Sequence, residues 1–108
     1  AARMLLSLAK QIRNASKYQT ILCLPNASQR VCALLQGISQ TAPGGVIVID
    51  PAPKHHELAI MVNTSRETVS RVVKKLLVDG TLEKDHRRWI VREPDLLSRY
   101  AQRESLPP

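Results

Sequence analysis

Between Arg66 and Leu77 the apolar residues Val69, Val72, Val73, Leu76 and Leu77 recur at i, i+3, i+4, i+7 and i+8. That spacing is the stripe of a helix lying on a core, and it excludes a half-buried strand, whose side chains alternate between faces. Every other residue of the segment is polar. Thr64 or Ser65 is placed to cap its start, Thr64 with Glu67 has the spacing of a capping box, and Gly80 supplies the stop.

The flanking segments follow from similar signals. Lys54 to Val62 reads as a shorter helix with Leu58, Met61 and Val62 on one side, and with Ala59 small enough for a close helix crossing. Asn63 follows where a left-handed residue is needed, and Lys54 is a poor cap. Thr81 to Lys84 and Trp89 to Arg92 read as two strands around Asp85-His86-Arg87-Arg88, a hairpin with a basic tip. Glu93-Pro94-Asp95 starts a last short helix with Leu96, Leu97 and Tyr100 inward.

Toward the N-terminus, Ala2 to Leu24 has few breakers, and Leu5, Leu8, Ile12, Ala15 and Leu22 fall near a helical period. It reads as an amphipathic helix, either a dimer seam or a helix packed on its own domain. Pro25 breaks the chain. Asn26 and Gln29 form a capping-box-like start for a helix carrying Val31, Leu34, Leu35 and Ile38 on one face, which ends before Thr41. Val46 to Ile49 is a β-branched strand closed by Asp50-Pro51-Ala52-Pro53. The predicted fold is mainly α with a small β-sheet, in the order α-α-β-α-α-β-β-short α. Residues 1–24 are read as a dimerisation or linker helix, 25–104 as the domain, and 105–108 as a disordered tail.

Sixteen Lys and Arg against nine Asp and Glu give 108 residues a net charge of +7, which favours a polyanionic partner. No apolar run approaches the ~20 residues of a membrane span. The acid-poor first half, with Asp50 its lone acid before Glu57, is compatible with a transit peptide, but its helical periodicity argues for retained structure. Cys23 and Cys32 form no CxxC pattern and read as buried free thiols in a reducing cytoplasm.

The outer face of the helix from Arg66 is where chemistry gathers. Arg66, Glu67 and Arg71 suit base edges in a major groove, since Arg donates bidentately to guanine and Glu accepts from cytosine. Thr64, Ser65, Thr68 and Ser70 beside a helix N-terminus, with Lys74, Lys75, Lys84, Arg87, Arg88 and His56, suit phosphates. The plain alternative is a solvated face with a Glu67–Arg71 intrahelical pair. The preceding short helix, the basic hairpin and the overall charge favour DNA.

The run from His56 to Val72, above all SRETVSR at 65–71, resembles the helix-turn-helix signature of the CRP/FNR (cyclic-AMP receptor and fumarate-nitrate regulator) family. Leu76-x-x-x-Gly80-x-Leu82 and the hairpin continue the pattern, whose specificity is concentrated in residues 56–92. The resemblance implies a winged helix-turn-helix, the output domain of a homodimeric bacterial regulator that binds a palindromic site and recruits or blocks RNA polymerase. It places Arg66, Glu67 and Arg71 at the base-reading positions of the catabolite-activator branch, and hence implies a TGTGA-like half-site. It also implies that a sensor domain for an effector such as a cyclic nucleotide lies N-terminal to Ala1, with no cofactor in this chain. The departures from the pattern are Lys54 at a usual Ser or Thr cap, Asn63 at a usual Gly, and His86 at the hairpin tip.

Enzymatic chemistry has no visible carrier, since no nucleophile motif or phosphate-cradling Gly-rich loop is present. His55 and His56 project about 100° apart on a helix and rarely share a metal ion, and His86 is isolated. The remaining alternative is a winged helix used for protein–protein interaction or nonspecific nucleic-acid binding. Few aromatics are available to stack RNA bases.

Overall fold

The computed structural model describes residues 15–102. Five helices and four strands follow in the order α1 (Ala15–Leu22), α2 (Ala27–Ile38), β1 (Gln40–Thr41), β2 (Ile47–Ile49), α3 (His55–Met61), α4 (Arg66–Val78), β3 (Leu82–Asp85), β4 (Arg88–Val91) and α5 (Pro94–Gln102). The fold is the mainly helical winged helix-turn-helix expected, with one strand more than predicted.

That extra strand is β1. The antiparallel sheet runs β1-β2-β4-β3, with Gln40 opposite Val48 and Val48 opposite Ile90. Gln40 and Thr41 are both exposed, so no apolar alternation announces them. Their pairing is closed by the Ala42–Val46 turn, where Gly44 and Gly45 take φ of 91° and 84°, backbone that glycine enters without a Cβ clash. Val46, predicted as the first strand residue, lies exposed in this turn.

The core is a single cluster. Val31, Leu34, Leu35 and Ile38 of α2 are buried against Leu58, Val62, Val69, Val72, Val73 and Leu76, and against Leu82, Trp89 and Val91 of the wing. The predicted stripe of α4 is correct except at its end, where Leu77 is half-buried rather than fully inward. In α5 the inner positions are Leu97 and Ala101, with Leu96 and Tyr100 half-buried. α5 packs chiefly on α2.

Several local expectations are corrected. Much of the predicted first helix lies outside the described residues, as do residues 105–108. In the described part Ile21 is buried and Leu22 is 39% exposed, so the inner position is one residue earlier than the period suggested. Asn26 caps α2, but its side chain accepts from the Ser28 N–H at 2.8 Å. Gln29 does not return to the cap. It is buried, and its Nε2 donates to the Ala101 carbonyl oxygen at 3.5 Å. Ser65, not Thr64, is the cap of α4, accepting from the Thr68 N–H at 3.1 Å. Cys32 is buried as expected, whereas Cys23, on the turn after α1, is exposed.

Candidate nucleic-acid interface

The link between α3 and α4 sets the direction of α4. Val62 closes α3, Asn63 takes φ of 55°, and the N–H groups of Asn63 and Thr64 donate to the carbonyls of Ile60 and Ala59 at 3.4 and 2.9 Å. This double closure is a Schellman turn, with Asn in the left-handed position usually held by Gly. Lys54 caps the start of α3 without a side-chain hydrogen bond. Arg30 of α2 steadies the far end: its Nε donates to the Val62 carbonyl at 2.8 Å, one Nη to Leu24 at 2.8 Å, and the other to Asn63 at 3.4 Å. A guanidinium at carbonyls left open by a helix C-terminus is electrostatically well placed.

On α4, Val69, Val72, Val73 and Leu76 are buried while Arg66, Glu67, Arg71 and Lys74 are exposed. No ion pair joins Glu67 to Arg71. The two side chains are therefore available outward, unlike the intrahelical pair of the solvated-face alternative. Arg66, Glu67 and Ser70 line one shallow depression on the outer face. At the N-terminus the Ser65 hydroxyl caps the helix and meets Thr68 Oγ1 at 2.9 Å, so these two act as a unit beside half-buried Thr64. Lys75 is half-buried in the last turn.

The wing ladder reaches one residue pair further toward its tip than predicted, over Leu82–Asp85 and Arg88–Val91, in the expected register. Asp85 pairs opposite Arg88, and the Arg88 Nε contacts Asp85 Oδ2 at 2.9 Å, which extends the ladder and leaves His86-Arg87 as a two-residue tip. A tip this short needs positive φ, and His86 supplies it at 58°. The Arg87 carbonyl accepts from the Ala52 N–H at 2.7 Å, tying the tip to the loop before α3. Lys84 and Arg87 are exposed, whereas Arg88 is partly committed to Asp85. Arg92 makes a two-pronged contact with Glu83 at 2.9 and 3.1 Å, and it holds that carboxyl below its ordinary range.

From sequence His55 has no assigned role in the site, and the structure places it in the seam. Its Nδ1 lies 2.7 Å from Ser70 Oγ, and its ring is tilted against Trp89 with centroids 6.4 Å apart. Burial first, then the charges of Arg66 and Lys84, push its pKa down. The signal was present in helical phase, since 55, 58, 59 and 62 share the inward face of α3. His56, favoured for phosphate, is exposed on the other side. Among the described residues no group of three or more His, Cys, Asp and Glu is gathered to hold a metal ion, and no helix is long and apolar enough to cross a membrane.

Residues 29–100 match the model of the Crp-like helix-turn-helix domain. Over 94 residues the chain is 35% identical to a cyclic AMP receptor protein of Thermus thermophilus, covering 87% of this chain and 42% of that protein. It is also 35% identical over 52 residues, 48% of its length, to the HTH-type transcriptional repressor PhnF of Mycolicibacterium smegmatis, of which it covers 21%. A CRP-family transcriptional regulator of Thermus thermophilus superposes with a TM-score of 0.66 at 26% identity, over 89% of this chain and 50% of that one. A CRP/FNR-family regulator of the same organism gives a TM-score of 0.62 at 22% identity over 84% and 48%, a likeness of fold. The chain spans half or less of the length of each of these proteins.

Proposed function

Because the chain belongs to the Crp-like helix-turn-helix family, we propose that it binds double-stranded DNA sequence-specifically as the output domain of a CRP/FNR-type transcription regulator. Like its relatives, it is a regulator module and not an enzyme. The observation that carries the reading is the division of α4, with a buried valine and leucine stripe on one side and Arg66, Glu67 and Arg71 exposed and unpaired on the other.

In this reading α4 enters the major groove. Arg66 and Arg71 donate to guanine edges and Glu67 accepts from cytosine, within a TGTGA-like half-site of a palindrome. Ser65, Thr68 and Thr64 hold phosphate beside the first N–H groups of α4, and Lys74, Lys75, Lys84, Arg87, Arg88 and His56 contribute charge along the backbone. Ser70 sits between the two groups of contacts. The wing reaches the flanking backbone through Lys84 and Arg87.

A palindrome calls for two copies, and α1 would be the end of a dimerisation helix, with residues 25–104 as the DNA-binding domain. RNA polymerase contact and control by an effector such as a cyclic nucleotide would belong to the full-length regulator, the effector being held outside this domain.

The test is fluorescence anisotropy with a TGTGA-like palindrome against a scrambled duplex of equal length at moderate salt. Tighter binding to the palindrome is expected. Equal affinities would overturn sequence-specific reading of that site.

A further inference from the structure

Ser70 is one of three residues lining the depression on the outer face of α4, together with the proposed base readers Arg66 and Glu67. Its hydroxyl is also held from behind by His55 Nδ1 at 2.7 Å. A hydroxyl has one proton and two acceptor sites, so the state of the partner nitrogen decides what Ser70 offers outward. When Nδ1 is bare, Ser70 donates to it and presents lone pairs. When Nδ1 carries a proton, Nδ1 donates to Oγ, and the hydroxyl proton is free for an acceptor such as guanine O6 or N7 or a phosphate oxygen.

The charges around the ring link this polarity to DNA. From α4, Arg66 faces His55; from β3, Lys84 does; β4 contributes uncharged Trp89; and on α3 itself the titratable neighbours in the chain are Lys54, His56 and Glu57. Arg66 and Lys84 both oppose a further positive charge in the free protein. A duplex brings phosphates that pair with Lys84, and it adds a negative field of its own at the half-buried ring.

We propose that His55 is a positioning residue of the duplex interface: it sets the hydrogen-bond polarity of Ser70 and takes up a proton when the duplex binds. The proposal rests on the DNA-binding reading above. In the free protein burial and the charges of Arg66 and Lys84 disfavour the charged ring, and the tautomer protonated at Nε2 leaves Nδ1 to accept from Ser70. The complex favours imidazolium, with Nδ1–H donating to Ser70 Oγ and the Ser70 proton turned to the duplex. Proton uptake on binding means that affinity rises as pH falls through the interval between the free and bound pKa values, a window whose lower edge lies below 6.5.

The experiment is anisotropy with the whole chain and a labelled TGTGA-like palindrome at about pH 6 and about pH 8, at constant salt, for wild type and His55→Gln. Gln keeps an amide near Ser70 but does not titrate. Wild type is expected to bind roughly three- to ten-fold more tightly at the lower pH, and His55→Gln to lose most of that dependence. The same pH ratio in both proteins would overturn the proposal while leaving DNA binding intact. Absence of duplex binding by wild type at either pH would overturn the functional reading, and this one with it. A second measurement needs no variant: the His55 ring followed by NMR, free and duplex-bound. A higher pKa in the complex supports proton uptake, and an unchanged or lower one refutes it.

Discussion

Arg30 donates through Nε to the carbonyl oxygen of Val62 at 2.8 Å, so a residue of α2 fixes the turn from which α4 departs. The same guanidinium also reaches Leu24 and Asn63, which lie on opposite sides of it in the chain. Arg30→Met keeps the aliphatic stem and removes all three bonds. It is expected to lower stability by about 1 to 3 kcal/mol, read by urea denaturation. Arg30→Lys should recover only part of this, because one ammonium lacks the planar fork. Wild-type stability in the methionine variant would show that the turn holds itself.

The base-reading and wing contacts should separate in binding experiments. Arg66→Ala is expected to cost about 1 to 3 kcal/mol on the palindrome and to relax its preference over other sequences. Arg87→Ala should weaken all duplexes alike and reduce the salt slope by about 1. If neither substitution changes duplex affinity, the domain's surface serves protein–protein interaction instead.

Asp79, at the end of α4, ties the turn before β3 to α5. Its carboxylate accepts from the Thr81 N–H at 2.9 Å, the Thr81 hydroxyl at 2.6 Å and the Tyr100 hydroxyl at 2.7 Å. Desolvation first, then the hydrogen bond and charge of Asp79, raise the Tyr100 phenol from 10.0 to about 12. A folded pKa above the unfolded one gives stability that is intact below the unfolded value and lost as pH rises through the folded one, here between 10.0 and about 12. Tyr100→Phe should remove this alkaline loss, seen by denaturation across that range, at a cost near neutrality of about 0.5 to 1 kcal/mol. A phenol titrating at its ordinary value in the folded protein would contradict the contact.

The two cysteines should differ sharply in reactivity. Cys23 is exposed, while Cys32 is buried and its thiol is pushed up to about 12 by desolvation and by Asp79. Thiolate is the reactive form, so an aromatic disulfide reagent at neutral pH should label Cys23 quickly and Cys32 only as the domain opens. Equal rates would mean that α2 is not seated on α5 and the core as described.

The parts of the site visible in the sequence were those set by helical period alone. The inward valines and outward Arg66, Glu67 and Arg71 follow from one spacing, and Asn63 and Gly80, at φ of 55° and 84°, stand where left-handed backbone was expected. What escaped depended on distant partners. Gln29 bonds to Ala101, far along the chain, rather than to the nearby cap. β1 exists because Ile47 and Val48 offer an edge, not because Gln40 and Thr41 have strand character. The wing tip shortened from four residues to two because Asp85 and Arg88 attract across the ladder. His55 joins the site only through Ser70 of α4 and Trp89 of β4, partners that its own segment does not reveal.

The split faces of α4 make recognition and folding separately editable. Changing Arg66, Glu67 or Arg71 removes no buried contact, whereas Val69, Val72, Val73 and Leu76 anchor the helix whatever sequence it meets. Under the proposed DNA-binding reading, a lineage, or a designer, retargets the domain to a new operator by rewriting a few solvent-facing letters while the scaffold is inherited unchanged.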